Sequence, residues 1–266
     1  TCQTASMLNS IYARNTDALP PAAIARPQPC DVAIIGGGLT GVTAALHLAE
    51  HGYDVVLLEG ETFGSGGSGR NGGHLCQGWP NDFHHISNQL NQHDADLAWQ
   101  AGMAAVDMVA ARVRKHDIQC DLQFGYLHAA LHQRHMNELL AMQDEWSQRG
   151  YDKFTALADT PSLAPHINSK AYIGGLYDTG SGQIQPLKYL LGLARAATAA
   201  GAKIFEHSRV TKIDRGKQKT LHFDNAPSLT AARVLLCGNA YLTHIGLPEM
   251  TRRLAQVTSS VLATAP

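Results

Sequence analysis

The sequence predicts an α/β fold in which a parallel sheet is interrupted by a mixed α+β layer. Three features carry that expectation. Residues 30–60, "CDVAIIGGGLTGVTAALHLAEHGYDVVLLEG", read as an apolar strand, a glycine turn, an amphipathic helix and a second apolar strand, a compact βαβ unit. Past Glu59 no second regular βαβ repeat begins; the chain enters "GSGGSGRNGG" (64–73) and then a polar segment to about residue 93. Helix and strand patterning of the first kind returns only after "GSGQIQP" (180–186).

Before the βαβ unit, "LPPAAIARPQP" (19–29) cannot sustain a helix, because proline removes a donor and restricts its predecessor, so residues 1–29 are expected to be an extended arm. Within the unit, Gly52 ends the helix and resets the chain for the second strand. In the middle of the chain, Trp99, Met103, Val106, Ala110 and Val113 share one side of a helix from Asp94 to about Lys115. A second helix is expected from about His132 to Arg149, with Leu139, Leu140, Met142 and Trp146 as its apolar positions. "CDLQFGYLHAAL" (120–131) and "AYIGGLYD" (171–178) read as strand-rich. Toward the end come a helix over Leu187–Ala200, one strand over "AKIFEHSRVTKI" (202–213) and a short buried strand in "AARVLLCGNAY" (231–241). The expected division is 1–29 arm, 30–80 first segment of the parallel-sheet domain, 81–180 middle segment, 181–245 second segment of the parallel-sheet domain and 246–266 the start of a further segment.

At 266 residues and 44% hydrophobic content, the chain can bury a sizeable core, as two modest domains or one large one. Twenty-one Lys and Arg against 22 Asp and Glu, with neither sign gathered into a block, leave no nucleic-acid footprint. Apolar runs such as "VAII" and "VVLL" are far below the roughly 20 residues of a membrane helix, and the first thirty residues hold no secretory h-region. Cys2, Cys30, Cys76, Cys120 and Cys237 are scattered without CxxC spacing, which argues against a disulfide framework or a thiolate zinc site. The expectation is a soluble protein of the reducing cytoplasm.

Gly36, Gly38 and Gly41 form G-x-G-x-x-G directly between strand and helix, the context that gives the motif meaning. Gly36 permits the tight turn, Gly38 lets a pyrophosphate approach the backbone, and Gly41 lets helix and strand pack closely. Leu39 and Thr40 open the helix, whose unpaired N–H groups and positive dipole end face that pyrophosphate. Glu59 ends the second strand, where its carboxylate accepts ribose hydroxyls and repels a 2′-phosphate, favouring FAD or NAD over NADP.

By composition alone, residues 64–73 read equally as a flexible spacer or as a cradle for a flat, phosphate-bearing ligand. The continuation favours the cradle: Arg70 offers a fixed cation and Asn71 a bifunctional amide, just before Gly72 and Gly73. Together with the βαβ unit, this loop resembles the D-amino-acid-oxidase-like family of FAD-dependent oxidoreductases. The resemblance extends through "YIGGLYDTGSGQIQPLKYLLGLARAATAAGAKIFEHSRVTKI" and "ARVLLCGNAYL", covering most of residues 30–266. It implies a Rossmann-like FAD-binding domain with an interleaved mixed α+β substrate domain. It places Gly36, Gly38, Leu39, Thr40, Gly41, Glu59 and Gly60 on the ADP half of FAD, Ser68, Gly69, Arg70, Asn71, Gly72 and Gly73 on the flavin side, and the Val210 backbone on the adenine. It also implies further strands and a last glycine-rich segment beyond Pro266, so the fold is expected to be truncated at its C-terminus.

The chemistry the resemblance implies is oxidation of a small amine, gamma-glutamylputrescine being the specific expectation, to an imine that water hydrolyses, with oxygen or another acceptor reoxidising the flavin. No catalytic acid or base is named by the residues. The rival readings are a non-catalytic flavin-binding subunit and an NAD-dependent dehydrogenase, the latter needing a further regular nucleotide-binding half.

Other candidates have plainer explanations. His47 and His51 lie one helical turn apart, but "HLAEH" lacks the HExxH order, and His128, His132 and His135 cross a strand-to-helix turn without an acidic or thiolate partner, so no metal site is expected. His74 and Cys76 beside the glycine loop are read as loop packing rather than covalent flavin attachment. Trp79, Phe83 and Tyr177 are read as packing before amine-pocket walls.

Overall fold

The structure, a computed structural model, describes residues 10–20, 24, 27–80, 83–224, 226–245 and 247–257. Cys2, most of the first part of the arm and residues 258–266 lie outside the described residues. In chain order the elements are β1 (Cys30–Ile35), α1 (Leu39–Glu50), β2 (Val55–Leu58), β3 (His74–Leu75), α2 (Phe83–Ser87), α3 (Gln92–Lys115), β4 (Gln123–Ala130), α4 (Gln133–Gln148), β5 (Phe154–Leu157), α5 (Thr160–Leu163), β6 (Gly174–Gln183), α6 (Pro186–Ala199), β7 (Lys203–Phe205), β8 (Val210–Asp214), β9 (Lys219–Phe223), β10 (Leu229–Leu236) and α7 (Pro248–Thr251). Single turns of 3-10 helix occupy Ile11–Asn15, Gly67–Gly69 and Asn239–His244. The chain forms two compact units. The first holds the described residues up to Gly72, His116–Cys120 and those from Gln185 onward; the second holds Gly73–Lys115 and Asp121–Ile184.

The first unit is built on a six-stranded sheet in the order β7-β2-β1-β10-β9-β8. β7, β2, β1 and β10 run parallel, and β9 and β8 are added antiparallel. β2 is buried along its whole length and β1 at all but Asp31, which is why both read as unbroken apolar runs rather than alternating ones. α1 turns Gly41, Val42, Ala45, Leu46 and Ala49 inward, the spacing of one helical face. α6 begins with Pro186 in its first turn and is capped by the Gln185 side chain, which accepts the Lys188 N–H at 2.7 Å. Its Leu187, Leu190, Leu191 and Leu193 are at most 1% exposed, and each such burial contributes about 1.5–3 kcal/mol.

Register decides where the candidate site lies. Ile35 pairs with Leu58 on one side and with Leu236 on the other, and Leu58 pairs in turn with Phe205. The next residues, Gly36, Glu59, Cys237 and Glu206, therefore stand abreast at the carboxyl edge of the parallel strands, where open α/β sheets receive ligands.

In the second unit β6 is central, pairing antiparallel with β4 along one side and with β3 and β5 along the other. Trp99, Met103, Leu139, Met142 and Trp146 of α3 and α4 pack on Tyr151, Phe154 and Leu176. One carboxylate enters this core: Asp178, 1% exposed, accepts the Tyr151 hydroxyl at 2.5 Å and the Gly180 N–H at 2.8 Å. Burial pushes the Tyr151 phenol far up, so it stays a donor to that carboxylate.

The two long middle helices fall where periodicity puts them, with His132 and Arg149 acting as caps of α4 rather than as helical residues. The single strand expected over 202–213 is two, β7 and β8. Between them Glu206 turns its side chain inward and His207 takes a left-handed φ of 49°, which breaks the extended run. β9, β5 and the short α2 are additions that the apolar pattern did not mark. Among the described residues no helix is long and apolar enough to cross a membrane.

Candidate functional site

The glycine turn after β1 is fixed by contacts that exclude side chains. Gly36 has φ +109°, and a Cβ there would lie 2.6 Å from the Cys237 carbonyl oxygen. A Cβ on Gly41 would collide with the Gly36 carbonyl oxygen, so the close approach of α1 to the turn depends on glycine at that position. Gly38 is the N-cap of α1 and has no side chain to cap with; Ser68 supplies the cap from the other loop, its Oγ accepting the Leu39 N–H at 3.0 Å. Thr40 is exposed on the first turn.

Glu59 closes the turn from β2. Its Oε2 accepts the Gly37 N–H at 2.7 Å and its Oε1 the Glu61 N–H at 2.9 Å. Each carboxylate oxygen has a second lone pair for a ligand hydroxyl. Gly37, which the motif spacing passes over, is packed under the Phe63 ring, where a Cβ would come within 2.6 Å. Phe63 is in turn held by Glu206, whose Oε1 accepts the Phe63 N–H at 2.7 Å. Gly60 lies beside the Arg209 guanidinium, which pairs with Glu61 at 2.5 Å. Ser208 donates its N–H to the Glu59 carbonyl at 2.8 Å, which brings the start of β8 at Val210 beside this edge; the Val210 side chain is buried in the sheet core.

Burial pushes the Glu206 carboxyl up, reinforced by the Glu59 charge and opposed by the Phe63 N–H and His207. A carboxyl raised on folding binds its proton more tightly in the folded state, so its contribution is present at low pH and lost as pH rises from the ordinary value of 4.5 through the raised one. Glu206→Gln keeps the acceptor for Phe63 and removes the titration. Thermal midpoints measured across that window are expected to favour the parent chain at the acid end and the variant at the neutral end; parallel pH profiles would contradict this.

The loop 64–73 is folded, not a spacer. Gly64 has φ +85°, and Gly69 packs so closely on the Gly64 carbonyl that a Cβ would overlap it. The Arg70 N–H donates to the Gly67 carbonyl at 3.2 Å, and the Asn71 side-chain amide donates to the Gly67 and Ser68 carbonyls at 3.3 and 3.1 Å. Gly72 is exposed at the end of the first unit. Gly73, with φ +69°, opens the second unit, and its carbonyl accepts the Ile184 N–H at 2.8 Å.

The remaining candidates are engaged in packing. The His47 and His51 rings lie 4.3 Å apart, with His51 Nδ1 on the His47 carbonyl at 2.7 Å. His132 and His135 sit ring to ring at the start of α4, while His128 lies in β4 against Tyr126 and Phe154. Among the described residues no three His, Cys, Asp or Glu side chains are grouped to hold a metal ion. His74 meets Tyr126 edge-on, and burial pushes the Cys76 thiol up, away from the reactive thiolate. The Trp79 indole donates to the Ala98 carbonyl, Phe83 packs on Trp99, and Tyr177 lies against His166.

A backbone-only turn, the N-terminus of α1 and an acid, abreast at the carboxyl edge of a parallel sheet, define a dinucleotide-binding α/β protein. The family model described as "DAO: FAD dependent oxidoreductase" matches residues 31–266, and the chain belongs to that family, whose cofactor is FAD. The protein designated "Probable oxidoreductase OrdL" of Haemophilus influenzae is 36% identical over 262 residues, 95% of this chain and 59% of that protein. Gamma-glutamylputrescine oxidoreductase of Escherichia coli is 32% identical over 235 residues, 88% of this chain and 55% of that protein. The crystal structure of glycine oxidase from Geobacillus kaustophilus has the same mixed α/β fold, with a TM-score of 0.68 at 24% identity over 82% of this chain and 57% of that one. The chain thus spans less than two thirds of the length of these relatives.

Proposed function

We propose that the first unit holds FAD for an enzyme that oxidises a small amine, with gamma-glutamylputrescine the specific candidate substrate. The observation that carries the cofactor reading is the Glu59 carboxylate, fixed by the Gly37 and Glu61 N–H groups beside a turn where a Cβ on Gly36 or Gly41 would strike backbone. Gly36, Gly38, Leu39, Thr40 and Gly41 serve the pyrophosphate, Glu59 and Gly60 the ribose, the Val210 backbone the adenine, and Ser68, Gly69, Arg70, Asn71, Gly72 and Gly73 the flavin side. When bound, the flavin supplies a hydride acceptor for the amine carbon. The chain's own residues bind and orient: the N-terminus of α1 offsets pyrophosphate charge, and Arg70 supplies a cation on the flavin side. Oxygen or another acceptor completes turnover, and the cytoplasm is the proposed location.

The substrate reading is supported by the 32% identity to the Escherichia coli gamma-glutamylputrescine oxidoreductase. Its test is anaerobic addition of gamma-glutamylputrescine, glycine and D-alanine in turn to the FAD-loaded chain. Bleaching by gamma-glutamylputrescine at the lowest concentration is the expected result. Bleaching by an amino acid in preference would overturn the substrate, and flavin that stays oxidised with every amine would overturn the activity.

A further inference from the structure

The glycine loop does not stand alone; it is tied down by a segment that precedes the first strand. The 3-10 turn Ile11–Asn15 is capped by Ser10, whose Oγ accepts the Tyr12 N–H at 3.3 Å and donates to the Gly69 carbonyl at 3.4 Å. The Tyr12 hydroxyl donates to the Asn71 carbonyl at 2.9 Å. Behind it, Gln185 Nε2 donates to the Tyr12 carbonyl at 3.1 Å and to Thr16 Oγ1 at 2.9 Å, and Arg195 donates to the Asp17 carbonyl at 2.7 Å. Both of those anchors belong to α6 or its cap.

No residue of the 3-10 turn is buried, and Ile11 is 49% exposed. The segment therefore contributes little hydrophobic stabilisation; what holds it is a set of directional polar contacts. Those contacts form a relay: Gln185 holds Tyr12, Tyr12 holds the Asn71 carbonyl, the Asn71 amide holds the Ser68 carbonyl, and Ser68 caps α1 at Leu39. We infer that residues 10–17 are a strap whose positioning group is the Tyr12 hydroxyl, and that it sets the affinity and environment of the flavin by fixing the loop from Gly67 to Asn71. The inference rests on the reading of that loop as the flavin side.

Two variants of the 266-residue chain test it. Tyr12→Phe removes the bond to Asn71. Gln185→Glu keeps the acceptor for the Lys188 N–H and removes both donors to the strap. FAD affinity from quenching of flavin fluorescence, the visible circular dichroism of bound flavin and the thermal midpoint of the apoprotein are measured for each. Losing one hydrogen bond predicts a dissociation constant raised about 3–10-fold in Tyr12→Phe. An altered visible dichroism should accompany it, the apoprotein midpoint should change little, and Gln185→Glu should shift in the same direction. Parent-like affinity and dichroism in both variants would overturn the strap, and so would a lowered apoprotein midpoint with flavin properties unchanged. A parent chain that takes up no FAD would instead remove the flavin-side reading, and the strap's role with it.

Discussion

Gly41→Val is expected to abolish FAD binding and to lower the thermal midpoint of the chain. Any Cβ at this position overlaps the Gly36 carbonyl oxygen, and the Cys237 side chain, 3.3 Å away, closes the other direction. α1 must then move off β1, carrying with it the helix N-terminus and the Gly38 turn proposed to hold the pyrophosphate. Overpacking of this kind costs about 1–3 kcal/mol or somewhat more. For a folding unit of this size that is roughly 3–10 °C in midpoint. Gly52→Ala is the control: Gly52 has φ +82° but nothing within 4 Å of a Cβ. It should cost about 1–2 kcal/mol of left-handed strain and leave FAD binding intact. Equal FAD affinity in Gly41→Val and the parent would show that the turn is a packing device and not a nucleotide cradle.

Glu59→Ala is expected to weaken FAD binding by about 100-fold, and Glu59→Gln by about 10-fold, since hydrogen bonds to a charged group are worth roughly 1.5–3 kcal/mol each. Alanine removes the acceptor for both the Gly37 and Glu61 N–H groups, so the turn loses its tie to β2 as well as the carboxylate proposed for the ribose. Glutamine keeps one acceptor but sets an NH₂ against a backbone donor. The graded order, parent over Gln over Ala, is the signature; a FAD titration in which all three bind alike would contradict the assignment of Glu59 to the ribose.

The first βαβ unit is legible in the sequence because every one of its signals is local. Strand, turn, helix and terminal acid follow within 31 residues, and the register of β1, β2 and β10 then brings the motif to the sheet edge. The interruption is legible too: β1 and β2 share a sheet with β7 to β10, while β3 to β6 form another. What the pattern does not reveal depends on distant partners. Glu206 supports Phe63 across 143 positions, and the Tyr12 hydroxyl meets Asn71 across 59. A lone acid in "IFEHS" and a lone tyrosine in a polar arm carry no periodicity that would mark them. Gly37 was hidden for another reason: the motif's spacing assigns it no duty, and only the Phe63 ring beside it shows that it too must be glycine.

The most direct test of the cradle is to mix the folded 266-residue chain with FAD, pass it through gel filtration, and record the visible spectrum of the protein peak beside that of Gly41→Val. The structure predicts that the parent peak retains close to one flavin per chain and that the variant peak is colourless. A parent chain with native far-ultraviolet circular dichroism that emerges without flavin would contradict the placement of FAD at Gly36, Gly38, Gly41 and Glu59.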